Sequence, residues 1–210
     1  MRRSQGRVTH RGLRTRKIEE KNLIYSHMHI DSLASSFLSG GRDLRSREDV
    51  RANGLCWVEA LERVAAECIS NGEHREQCLT SWVTHGGRIR EEIGDDRLLV
   101  QLLREVLPRY ESPSLTLYRG ESAERFQDGR IGLCWSSQRH TAEMFGSGLN
   151  AYYPGGGVLL SATVDAAAIL SGPGKHSRWL GEAEHTVDPH KLTELEVLLR
   201  YPNPNDRARR

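Results

Sequence analysis

The sequence predicts an α+β fold, a helical bundle followed by a mixed, mostly antiparallel β-core. Three observations carry this. Through the first half, apolar residues recur at spacings of three and four, the pattern of buried helix faces. After Pro113 the pattern becomes short apolar runs punctuated by glycine. These runs do not alternate with helices in regular βαβ units, which separates α+β from α/β.

The chain has 210 residues, of which 37% are apolar, enough for one domain with a core or a small domain plus an appendage. No run of 18 apolar residues occurs, so no membrane contact is expected. Thirty Lys and Arg against 28 Asp and Glu give a net charge of +2, so the chain as a whole is not a polycation. Cys56, Cys68, Cys78 and Cys134 form no CxxC pair, which argues against a zinc ribbon and against a disulfide scaffold. They fit a reducing, cytoplasmic setting.

The charge is uneven. Residues 1–22 carry eight Lys and Arg against Glu19 and Glu20, a net of +6, with few large apolar residues. Such a segment cannot offset its ordering entropy by burial and reads as a flexible basic arm. Residues 202–210 read as a polar basic tail ending Arg-Ala-Arg-Arg. Either end is a solvated tail or a contact for nucleic acid or an acidic partner.

Residues 23–110 form the expected helical domain. A first helix spans 23–40 and closes at Gly40-Gly41. A charged loop covers 42–53. Leu55, Val58, Leu61, Ala65, Cys68 and Ile69 mark a second helix ending near Asn71-Gly72. Cys78, Leu79, Trp82, Val83, Ile89 and Ile93 mark a third, with Gly86-Gly87 as an interruption. Asp95-Asp96 caps a fourth, which Pro108 closes. None carries a reactive set. His27 and His29 fall on different helix faces, poor geometry for a metal, and His74 and His85 stand alone. No metal is indicated.

Residues 111–201 form the second domain. Strands are expected at 115–118, ending at Arg119-Gly120, at 132–136, 158–164, 184–187 and 195–201. Helical signals cover 138–145 and 166–170, with a loop at 171–178. Gly174-Lys175 resembles the end of a phosphate-binding loop, but His176 replaces the required Ser or Thr and Ile169 stands where that motif needs Gly. Gly155 to Gly157 precede a strand rather than follow one, so they read as a turn.

Three motifs follow in order: Tyr118-Arg119-Gly120, then Trp135-Ser136-Ser137 with Thr141-Ala142-x-x-Phe145, then Gly181-Glu182-Ala183-Glu184. Together they resemble the ADP-ribosyltransferase fold in its arginine–serine–glutamate branch, which includes bacterial toxins and phage-encoded modifying enzymes. The resemblance covers residues 114–201. It departs from the branch where the serine–threonine–serine strand reads Ser136-Ser137-Gln138.

The resemblance implies a transferase that uses NAD+ as co-substrate, without a metal. It gives Arg119 the phosphate or ribose contacts, which suit a bidentate guanidinium. It gives Gly120 a main-chain contact to the nicotinamide carboxamide, and places Ser136 and Ser137 beside the nicotinamide ribose. Phe145 is set either to stack on the nicotinamide ring or to pack in the core. Glu184, the second glutamate, would stabilise the positive charge that develops on the ribose as the glycosidic bond breaks. Glu182 would orient an arginine acceptor. A register slipped by two makes Glu182 the catalytic residue instead. Trp179 is either an acceptor contact or buried.

Three classes of function follow. The leading one is mono-ADP-ribosyl transfer to a protein or nucleic-acid acceptor. A glycohydrolase toxin, held by an antitoxin or regulatory protein, is a close variant. A non-catalytic adaptor for a partner or nucleic acid is the third.

Overall fold

A computed structural model describes residues 29–44, 51 and 54–207. The expected basic arm, the start of the first helix with His27, most of the 42–53 loop and residues 208–210 lie outside the described residues.

Helix α1 (29–38) ends at Gly40 and Gly41, whose φ of 83° and 72° place both in the left-handed region. Helix α2 (Gly54–Ser70) buries Trp57, Ala60, Leu61 and Val64 along one face. Helix α3 (His74–Ile93) runs through Gly86-Gly87 without the expected interruption. The reason is packing: the buried Trp82 indole covers Gly86, and a Cβ there would lie 2.7 Å from the ring. Nothing lies within 4 Å of a Cβ at Gly87. The two glycines therefore have opposite expected effects. Gly87→Ala should stabilise by up to about 1 kcal/mol through helix propensity. Gly86→Ala should destabilise, because overpacking of about 1–3 kcal/mol outweighs that gain. Urea midpoints of the two variants check the signs. Helix α4 (Asp96–Val106) is capped by the Asp95 carboxylate, which accepts from the Arg97 and Leu98 amides.

Strand β1 (Leu115–Ser122) continues four residues past Tyr118. It pairs with β3 (Gly157–Val164) from Leu115↔Val164 to Ser122↔Gly157. The extension went unexpected because Glu121 and Ser122 are polar, yet both are buried and hydrogen-bonded. Helix α5 (Ala123–Gln127), strand β2 (Cys134–Ser136) and helix α6 (Arg139–Ser147) come next. The helical patch expected at 166–170 is one 3-10 turn, Ala166–Ala168, followed by strand β4 (Ile169–Ser171). The loop expected at 171–178 contains helix α7 (Lys175–Leu180), closed by Gly181 at φ 72°. Strand β5 (Glu184–Val187) falls where expected, and β6 (Thr193–Tyr201) starts two residues earlier than expected. In the tail, Pro204–Arg207 form a single helical turn, α8. The Asn203 amide anchors it by donating to the Tyr152 and Tyr153 carbonyls.

The six strands make one sheet in the order β4-β5-β2-β1-β3-β6. Every pairing among them is antiparallel, so the expected mixed sheet is wholly antiparallel among the described strands. One buried cluster fills the helical half and takes in Leu133 and Leu170 from the sheet half. A second, with Leu117, Trp135, Leu160 and Val187, lies on the sheet. Polar ties also join the halves. Arg90 pairs with Asp96 and donates to the Ile131 carbonyl, while Arg104 donates to the Ala167 carbonyl and pairs with Asp188. No helix among the described residues is long and apolar enough to cross a membrane.

Candidate active site

The middle of the sheet sets the site. In register, Ser136 on β2 faces Tyr118 on β1 from one side and Glu184 on β5 from the other. Strand pairing thus joins segments from three separate motifs. Beside them lies a cleft of about 480 Å³, within the usual range for small-molecule sites. Arg119, Gly120, Ser136, Phe145, Glu182 and Glu184 all line it. Ser137 does not: it is exposed, and its amide donates to the Ala183 carbonyl at 3.3 Å.

The Glu182-Ala183-Glu184 segment is held from both sides. The Ser136 hydroxyl donates to the Glu182 carbonyl at 2.6 Å and accepts from the Gln138 amide at 2.9 Å. It therefore positions the backbone before β5 and the entry to α6, not a carboxylate. From α7, the Ser177 hydroxyl accepts from the Glu184 amide at 2.7 Å. Ala183 sits at φ 45°, a left-handed conformation uncommon for a residue with a Cβ. Its carbonyl also accepts from His185 Nδ1 at 3.0 Å. Burial pushes the His185 imidazole below its usual range.

Glu184 differs from Glu182 in its surroundings. As a residue it is partly exposed, but its Oε1 is enclosed and has no hydrogen-bond partner among the described residues. Burial pushes its carboxyl up to about 7, and the neighbouring Glu182 charge adds to that. The Cys134 thiol and the Arg119 guanidinium pull the other way. A carboxyl perturbed by burial and lining a cleft is a mark of functional sites.

Arg119 donates from Nε to Glu121 Oε2 at 2.9 Å, pairs through Nη2 with the same oxygen, and donates from Nη1 to the Cys134 carbonyl. The guanidinium is thus held at all three of its nitrogens. Gly120 lines the cleft, but its missing side chain is used by α6. A Cβ there would lie 2.2 Å from the Gly146 amide nitrogen and 2.3 Å from the Ala142 carbonyl. The Gly120 carbonyl accepts from Asn150 Nδ2 at 3.0 Å.

Phe145 stands half-exposed at the cleft edge, 39% accessible. Trp179 is exposed, 80% accessible, and stacks on His176 with centroids 6.1 Å apart. His176 lines the cleft. Sequence reasoning missed Cys134, Asn150, Ser177 and His176. Cys134 alone had a signal, lying two residues before Ser136 and so on the same strand face. His85 is a core histidine, hydrogen-bonded through Nε2 to the Gly41 carbonyl at 3.2 Å. Among the described residues, no group of three or more His, Cys, Asp or Glu is placed to hold a metal ion.

An α+β protein with a sheet-centred cleft, a buried glutamate and a braced arginine is the class these features define. No protein-family model, curated protein or solved structure matches the chain.

Proposed function

We propose that this chain is a mono-ADP-ribosyltransferase of the arginine–serine–glutamate type, acting in the cytoplasm. It cleaves NAD+ at the nicotinamide–ribose bond and passes ADP-ribose to a protein acceptor, on arginine. The observation that carries this reading is the buried, raised carboxyl of Glu184 lining the same cleft as Arg119, Ser136 and Glu182.

The chemistry uses that pairing. As the glycosidic bond breaks, its electron pair leaves with nicotinamide, which departs neutral. The ribose carbon becomes an oxocarbenium ion. A carboxylate fixed beside the ribose carbon stabilises this charge as it develops. Arg119, a cationic guanidinium lining the same cleft, is suited to the diphosphate. Glu182, in the same cleft, pairs with an acceptor guanidinium and takes the proton released when its nitrogen bonds to the ribose carbon. Trp179 and His176 at the edge offer a surface for the acceptor.

The test is nicotinamide release from NAD+ by the purified chain, with and without cell extract. Release that depends on extract, with label appearing on protein arginine, is the expected result. Label on nucleic acid would replace the acceptor class, and release without extract would make water the acceptor. No release, and no NAD+ binding, would overturn the reading. A separate variant probes the arginine. Arg119→Ala should weaken NAD+ binding about tenfold or more, as loss of a charge-assisted contact predicts. Unchanged affinity by titration calorimetry would contradict its role.

A further inference from the structure

Glu121 is a fully buried carboxylate, 1% accessible, on the strand that carries Arg119. Burying a charge costs several kcal/mol unless it is fully engaged, and here every contact is supplied. Oε2 accepts from Arg119 Nε at 2.9 Å and from the Gly132 amide at 3.0 Å. Oε1 accepts from the Ser122 amide at 3.0 Å and faces Arg125 Nε at 3.5 Å. Burial alone would push this carboxyl up, but the Arg119 and Arg125 charges outweigh it and hold it below its ordinary value.

The guanidinium is confined on its other sides as well. A Cβ at Gly132 would lie 2.0 Å from Arg119 Nη2 and 2.3 Å from Cζ, so a side chain there would displace the guanidinium from its present position. The Cys134 carbonyl takes Nη1. Confinement has a consequence because Arg119 also lines a second cleft, of about 810 Å³, together with Glu121, Arg125 and Gly132. A loosely held guanidinium has open space there to turn into.

We propose that Glu121 is a positioning residue, which with Gly132 holds the Arg119 guanidinium at the first cleft so that it meets the diphosphate of NAD+. This rests on the proposed function. It adds a residue that none of the three motifs contains.

The test measures KM for NAD+ and kcat for nicotinamide release in wild type, Glu121→Gln and Gly132→Ala, with urea unfolding of each. Glu121→Gln keeps the shape but removes the charge. Gly132→Ala crowds the guanidinium from its face and leaves the carboxylate intact. Both should raise KM about tenfold or more while kcat stays within about threefold, since a binding contact is lost and not a transition-state one. A purely structural role would lower the urea midpoint or kcat and leave KM unmoved, and that result overturns the inference. If Glu121→Gln does not fold, Gly132→Ala decides alone by the same split. A wild type that neither binds nor cleaves NAD+ removes the proposed function. A wild type that turns over, with KM unmoved in the folded variants, removes only the role of Glu121.

Discussion

Glu184→Gln is expected to move activity and stability in opposite directions. Turnover of NAD+ should fall by about 10²-fold or more, the scale of a lost electrostatic contact in the transition state. Stability should rise at alkaline pH. The Glu184 carboxyl sits at about 7 in the folded protein, raised by burial from an ordinary value of 4.5. A raised carboxyl binds its proton more tightly in the folded state than in the unfolded one. Its contribution favours folding below pH about 4.5 and is lost progressively as the pH climbs to about 7 and above. Glutamine removes that loss. The melting temperature of the variant should match wild type at pH 4.5 and exceed it at pH 8, by the equivalent of a few kcal/mol at most. The same carboxyl sets the activity profile. As the carboxylate is the working form, kcat/KM of wild type should rise through pH about 7 and level off. A profile flat from pH 5 to 9 would contradict this.

Gly120→Ala is expected to be the most damaging small substitution near the cleft. The added methyl would meet backbone atoms of α6 at 2.2 and 2.3 Å, and backbone cannot rotate out of the way. Helix α6 packs here through a second glycine, Gly146, which in turn approaches Val158 and Gly157 on β3. Relief therefore requires the whole helix to move, and with it Thr141, Ala142 and Phe145 at the cleft. A loss of about 3 kcal/mol, at the upper end for overpacking, is expected in urea unfolding. The fraction that remains folded should also bind NAD+ poorly. Full stability in Gly120→Ala would show that the glycine serves a ligand and not the helix.

Much of the architecture was legible because burial follows periodicity. Leu99, Leu102, Leu103 and Val106 announce α4 by spacing alone, and Asp95 marks its start. Strand β5 was legible at its true bounds, and β3 to within one residue. The misreadings have physical causes. Strand β1 looked too short because Glu121 and Ser122 are buried through hydrogen bonds, and polar residues buried that way carry no hydrophobic signal. Strand β4 has three residues, below the length at which alternation can be seen. Gly86 looked like a break because a glycine that accommodates a neighbouring indole has the same letter as one that ends a helix.

The candidate site divides in the same way. Arg119, Ser136, Glu182 and Glu184 stood out by residue type and order, and one cleft contains them all. Their relations were not legible. The Ser136 hydroxyl meets a carbonyl 46 residues away, and the Arg119 guanidinium meets one 15 residues away. Such contacts arise from strand pairing and from no local pattern. The contrast between the two glutamates is of the same kind. Both are charged letters two apart, and only the enclosure of Glu184 Oε1 separates them.

The most direct test of the account is nicotinamide release from NAD+ at pH 8, wild type beside Glu184→Gln, in one assay supplied with cell extract. Wild type should release nicotinamide and the variant about 1% or less of that rate, with both proteins folded. Equal rates in the two proteins, or a folded wild type that releases none, would contradict the account.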